Sequence, residues 1–285
     1  MRLYISVDME GISGIASIHQ LGPGKREYER GRKLMTLEVK AAIEGAKDFG
    51  VDMIVVNDAH GSMTNLLLEE LPDYVNVIYG FPKPLSMVSL MDEGFDAAFF
   101  IGYHSRKGIP YSIWDHTLSG VMIQRIRIND KEVSEFWLNA AVAGRFGIPV
   151  ALVTGDDKLV AHAKELIPQI EVVETKKGLS RSAALMRHPL AVYETIKSAV
   201  RRALEKVKRN EIPVFAPKGP YEVSVEFTDS LIADFVELIP GVKRRDGLVV
   251  EYNTEDVLDV YNILELMLII SVGAKRLTGA SYDNA

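Results

Sequence analysis

Short β-rich apolar runs alternate with segments of helical period through the first 175 residues, and this alternation limits the fold more than any other feature. Strands are expected at 3–8, 53–57, 75–79, 97–102 and 150–154. Helices are expected between them at 27–49, 63–71, 85–93 and 134–146, with one more at 157–167. Parallel strands need long crossovers rather than tight turns, so the pattern predicts an α/β chain with a doubly wound, mostly parallel sheet. One stretch departs from it. From Val121 to Asn129 apolar and polar residues alternate ahead of Asn129-Asp130, which predicts an inserted hairpin.

Beyond Ser180 the pattern changes to a long helix (189–209), a turn-rich stretch (212–220), a strand (223–227), a helix from Ser230 and a strand (248–252). A last helix is opened by Asn253-Thr254-Glu255-Asp256. The expected organisation is a metal-binding α/β core over 1–178 and a smaller C-terminal α+β portion over 179–285. The apolar helix at 257–272 is expected to be core rather than interface.

Composition removes several classes of function. The chain has no cysteine, so disulfides and thiolate metal sites are excluded, and any metal must be held by His, Asp, Glu and water. A net charge of −6 argues against a general nucleic-acid surface, and the basic residues of 197–209 read as the wet face of an amphipathic helix. The most apolar stretch, 263–272, is too short to span a membrane and carries Glu265. The first residues lack the pattern of a signal peptide, so a cytoplasmic protein with no membrane partner is expected.

In open parallel sheets ligands bind beyond the carboxyl ends of the strands. The first strand ends in Asp8-Met-Glu10, the second in Asn57-Asp58-Ala-His60-Gly61, the fourth in Gly102-Tyr-His104-Ser105 and the fifth in Gly155-Asp156-Asp157. If strand one lies between strands two and four, topology alone brings Asp8, Glu10, His60 and His104 together. Side chains alternate along a strand, so an extended Asp-x-Glu turns both carboxylates to one face. Two crowded, dehydrated carboxylates repel unless a cation lies between them. With two imidazoles they make a set suited to zinc, manganese or cobalt, and a bridging carboxylate could hold two ions about 3.5–4 Å apart.

Taken singly, each residue has an ordinary reading: Asp8 as a turn or cap, His60 as a turn residue, His104 as a satisfied half-buried histidine. No short motif such as His-Glu-x-x-His occurs. Glu135 opens the helix after the hairpin, with Asn139 one turn on, and its ordinary reading is a first-turn acid favoured by the helix dipole. His116, in a loop after His104, can serve as acid or base near neutral pH or can simply lie exposed beside Asp115. His162 reads as a surface-helix residue, His188 as the cap before Pro189, and His19 as part of a Gly-rich loop.

Four stretches carry a resemblance to a known family: 6–14 (SVDMEGISG), 56–65 (VNDAHGSMTN), 101–105 (IGYHS) and 135–144 (EFWLNAAVAG). They are similar, in kind and order, to the DppA-type D-aminopeptidases, a family of zinc metallopeptidases. The segments 28–32, 154–157 and 180–183 also fit, and the likeness weakens past 210. It implies two zinc ions in the core, with Asp8 bridging both, Glu10 and His60 completing one, and His104 and Glu135 completing the other. It implies that His116 is the catalytic histidine, which the family assigns as a nucleophile. On chemical grounds a metal-activated water is the better attacker, with His116 handling protons. The resemblance further implies a homo-oligomer closed into a ring of decamer type. The 16–24 loop is not matched, and Trp114-Asp115 ahead of His116 reshapes the expected pocket.

The expected function is thus zinc-dependent hydrolysis of short peptides or amino-acid amides with a free amino terminus, including D-residues. The alternative is a metal-dependent phosphoesterase, for which Arg106 and Lys107 are the cationic candidates. Gly-x-Gly-x-x-Gly, the phosphate-cradling Gly-x-x-x-x-Gly-Lys loop and Gly-x-Ser-x-Gly are all absent, which disfavours nucleotide cofactors and serine hydrolysis. A binding protein whose metal only staples the strand ends is the non-enzymatic reading.

Overall fold

The computed structural model describes residues 1–279. In chain order its elements begin with β1 (Arg2–Val7), α1 (Tyr28–Phe49), β2 (Met53–Asp58), β3 (Asn76–Ile78), β4 (Ala97–Tyr103), β5 (Ile123–Ile128) and β6 (Lys131–Glu132). They continue with α2 (Glu135–Arg145), β7 (Val150–Asp156), α3 (Asp157–Leu166), β8 (Glu171–Ser180), β9 (Ala183–Met186) and α4 (Pro189–Lys208). The last are β10 (Tyr221–Phe227), α5 (Ser230–Val236), β11 (Lys243–Arg244), β12 (Val249–Thr254) and α6 (Val257–Leu277).

The first sheet runs β3-β2-β1-β4-β7-β8-β9, parallel up to β8, with β9 antiparallel at the edge. β4 and β7 are buried along their whole length, and β1 along all but its first residue, which is why they read as unbroken apolar runs. β1 lies between β2 and β4, with Val7 paired to Asp58 on one side and Ile101 on the other. This is the strand order on which the convergence of Asp8, Glu10, His60 and His104 depends.

The second sheet, β11-β12-β10-β5-β6, is antiparallel. Its hairpin β5–β6 turns at Asn129 (φ 49°) and Asp130 (φ 62°), the two left-handed residues that a tight two-residue turn needs. β10 pairs with β5 on one edge and β12 on the other, so the hairpin joins the C-terminal strands rather than the parallel sheet. Residue 178 lies inside β8, and β9 and α4 stay with the first sheet, α4 packing on α1, β7 and β8. The change of pattern near 180 therefore marks an antiparallel edge of the first sheet, not the start of the second.

Two expected helices are loops with single 3-10 turns, at Leu68–Glu70 in one case and at Ser86–Val88 and Met91–Glu93 in the other. In 63–71 Met63 has φ 55°, outside the right-handed helical region, and the buried Asp58 carboxylate ties down the backbone N–H groups of Asn65 (2.6 Å) and Leu66 (2.8 Å) in the loop that follows. In 85–93 Leu85, Ser86 and Leu90 all have positive φ, which no right-handed helix accommodates.

α6 buries Val257, Val260, Tyr261, Leu264, Met267, Ser271 and Ala274 against its neighbours, which include α5 and α2. Its other face exposes Leu266 and Ile269, so the helix is core on one side only.

Candidate metal centre

The site is assembled from four backbone termini. β1 ends at Val7, so Asp8 and Glu10 leave it in a turn, with Met9 buried between them. That turn is pressed onto the end of β4. Gly11 N–H donates to Gly102 O at 2.8 Å, and a Cβ on Gly11 would lie 2.0 Å from Tyr103 O, so only glycine fits. His60 stands two residues past β2 and His104 one past β4. Glu135 is the first residue of α2, whose N-cap Ser134 accepts from Trp137 N–H.

Asp8 lies between the two histidines. Its Oδ1 is 3.1 Å from His60 Nδ1 and its Oδ2 is 3.3 Å from His104 Nε2. Glu10 Oε2 approaches the same His60 nitrogen at 3.0 Å, and Glu135 Oε2 approaches the same His104 nitrogen at 3.2 Å. All five residues are buried. His60 Nε2 lies 2.9 Å from Leu21 O, and His104 Nδ1 lies 2.9 Å from Ser105 O. A carbonyl only accepts, so those nitrogens carry the protons, and the opposite nitrogens turn their lone pairs to the carboxylates.

Asp8 Oδ2, Glu10 Oε2 and His104 Nε2 are fully buried without a hydrogen-bond partner among the described residues. With both rings neutral, acceptors would face acceptors, a repulsion that a cation resolves, so the donor set fits zinc. Two trios suit separate ions, Asp8–Glu10–His60 and Asp8–His104–Glu135, each with its ligand atoms within 4.8 Å of one another. A third, Glu10–His104–His116, satisfies the same distance but draws on residues of both.

Without a cation the electrostatics are those of buried ion pairs. Burial opposes charge on Asp8, but the bonds and charges of His104 and His60 outweigh it and hold its carboxyl well below the usual range. Burial would also lower both histidines, yet Glu10 and Asp8 hold His60, and Glu135 and Asp8 hold His104, well above the ordinary value. Metal binding must therefore displace imidazolium protons, and affinity falls as pH falls.

His116 reaches the same cluster. Its ring stacks on His104 with centroids 4.1 Å apart, and its Nε2 is 3.7 Å from Glu135 Oε1. Its Nδ1 lies 2.7 Å from Trp114 O, so Nδ1 is the donor and Nε2 is free to take a proton. Its side chain is 19% exposed, against 10% or less for the five residues around it, so it is the most accessible member of the cluster. Asn139 lies behind the site and donates to Tyr103 Oη at 2.9 Å. His162 faces Ser134 Oγ at 3.2 Å, His188 caps α4, and His19 is exposed on a short 3-10 turn.

Two supporting residues escaped the sequence reading. Lys176 is wholly buried, and its ammonium donates to Glu10 O (2.5 Å), Ile12 O (2.8 Å) and Ile15 O (2.6 Å), fixing the turn that carries Glu10. Its strand is disguised by Lys-Lys-Gly, although Val172, Val173 and Thr175 just before it carry a β signal.

Glu38, on α1, is the second. Its oxygens accept from Ser13 N (2.8 Å) and Thr154 Oγ1 (3.0 Å), while burial pushes its carboxyl up to about 7. A carboxyl whose folded value exceeds its unfolded one holds a proton longer in the native state. Stability then falls as pH rises from roughly 4.5 to 7, by about 3 kcal/mol, and levels off above. Urea unfolding of metal-free protein at pH 5 and 7.5 is expected to show that fall, and Glu38→Gln is expected to lose this part of it. Equal slopes in both proteins would refute the assignment.

A sequence model described as D-aminopeptidase matches residues 1–266. A curated D-aminopeptidase of Bacillus subtilis (strain 168) is 37% identical over 268 residues, covering 94% of this chain and 96% of that protein. Among solved structures, the chain is similar to the Zn-dependent D-aminopeptidase DppA from Bacillus subtilis, described as a self-compartmentalizing protease. The TM-score is 0.90 at 35% identity, over 95% of this chain and 98% of that one.

Proposed function

This chain belongs to the D-aminopeptidase family, and on that premise we propose that it is a zinc-dependent aminopeptidase acting on short peptides or amino-acid amides with a free N-terminal D-residue. The observation that carries the reading is the set of unpartnered buried atoms between two histidines whose lone pairs are already oriented. Asp8 would be shared between two zinc ions, a role supported by its oxygens facing different histidines. Glu10 and His60 would complete one position, and His104 and Glu135 the other. When bound, zinc supplies Lewis-acid polarisation of the scissile carbonyl and a lowered pKa for water.

His116 is the catalytic residue. Its Nε2 accepts a proton from the attacking water and returns it to the leaving amine, a role supported by the Nδ1–H bond to Trp114 O. Phosphoester hydrolysis is disfavoured, because Arg106 pairs with Glu132 and Lys107 donates to Gly120 O and Ile123 O.

The protomers assemble into a homo-oligomer, a closed ring of decamer type. The exposed Leu266 and Ile269 on α6 and the self-compartmentalizing relative support this. The functional test is an assay of the zinc-loaded protein. D-alanyl p-nitroanilide is expected to turn over, its L-isomer more slowly and p-nitrophenyl phosphate not at all. Turnover of the phosphate ester alone would reverse the assignment.

A further inference from the structure

The loop that presents His116 is not relaxed. Trp114 has φ +46°, a left-handed conformation that costs a non-glycine residue on the order of 1–2 kcal/mol and persists only where neighbours enforce it. It is the carbonyl of this strained residue that receives His116 Nδ1–H and so decides which way Nε2 faces.

Arg181, between β8 and β9, touches the loop in four ways. Its carbonyl accepts from Trp114 N–H at 3.0 Å, and its guanidinium lies 4.7 Å from the centre of the indole. Nε donates to Asp115 Oδ1 at 2.8 Å, and Nη2 reaches Asp115 O at 3.4 Å. From the other side Trp114 Nε1–H donates to Ala16 O (2.7 Å), Gly108 N–H to Asp115 Oδ2 (2.6 Å) and His116 N–H to Ser105 O (3.1 Å). The Asp115 side chain is only 8% exposed, so Arg181 closes the solvent side of an otherwise buried pair.

We propose that Arg181 is a positioning residue for His116. Through Trp114 and Asp115 it holds the Trp114 carbonyl where that carbonyl fixes Nδ1–H and leaves Nε2 aimed at the carboxylate cluster. The inference rests on the reading of His116 as the proton-handling group. Arg181 itself is not placed on the substrate: its Nε and Nη2 are committed to Asp115, and its flat face to Trp114.

The test compares wild type, Arg181→Ala, Arg181→Lys and His116→Ala, each zinc-loaded, on D-alanyl p-nitroanilide. The Arg181 side chain is half exposed, so its removal leaves the core intact. Misplacing a reacting group by about 1 Å costs roughly 100-fold, so Arg181→Ala is expected to lower kcat by about 10- to 100-fold. KM and zinc content are expected to stay at their wild-type values, which a merely structural role would not separate from kcat. Arg181→Lys, with the charge but without the planar stack and fork, is expected to behave like the alanine variant.

A wild-type kcat in Arg181→Ala would overturn the proposal. So would a raised KM with kcat intact, which would make Arg181 a substrate anchor, or full recovery in Arg181→Lys, which would make it a simple charge. If His116→Ala also kept full turnover, the reading of His116 would fall, independently of Arg181.

Discussion

Asp8→Ala is expected to empty both metal positions at once and to lower turnover below roughly a thousandth of wild type, more than losing one transition-state donor costs. The reason is geometric. Of the three carboxylates Asp8 is the one with an oxygen toward both His60 (3.1 Å) and His104 (3.3 Å), whereas Glu10 approaches His60 and Glu135 approaches His104 and His116. Glu10→Ala is therefore expected to lose about one equivalent of zinc and to keep the other. Metal analysis of the two folded variants side by side checks this. Retention of two equivalents by Asp8→Ala would show that the carboxylate is not shared.

His116→Ala has the second largest expected effect, with the opposite metal signature. Loss of a positioned proton-transfer group costs roughly 100- to 10,000-fold in kcat. The five other residues make two trios without it, so zinc content is expected to stay at wild type. His116 also belongs to the trio with Glu10 and His104, so the metal count decides its role. Loss of an ion together with activity would make it a ligand, and retention of both ions with activity lost would make it the proton carrier.

Much of this site was legible because the strand ends carried it. Four of the five residues in the two trios follow β1, β2 or β4, whose apolar runs are plain, and the order β2-β1-β4 brings those ends together. Glu135 was legible as the first residue of a helix. What holds the site in shape was not, because it depends on partners distant in sequence. Lys176 reaches the Glu10 turn across 166 residues, and Arg181 reaches Asp115 across 66. No local period encodes either contact. The loops at 63–71 and 85–93 misled for a related reason. Their leucines and methionines mimic helical spacing, but left-handed residues interrupt both, Met63 in the first and Leu85, Ser86 and Leu90 in the second.

Whether two ions share Asp8 is decided by titrating chelator-stripped protein with zinc while bound metal and D-alanyl p-nitroanilide hydrolysis are followed together. Saturation is expected at two equivalents per folded chain, with full activity reached only at the second. Saturation at one equivalent with full activity, or hydrolysis by the metal-free chain, would contradict a shared two-ion centre.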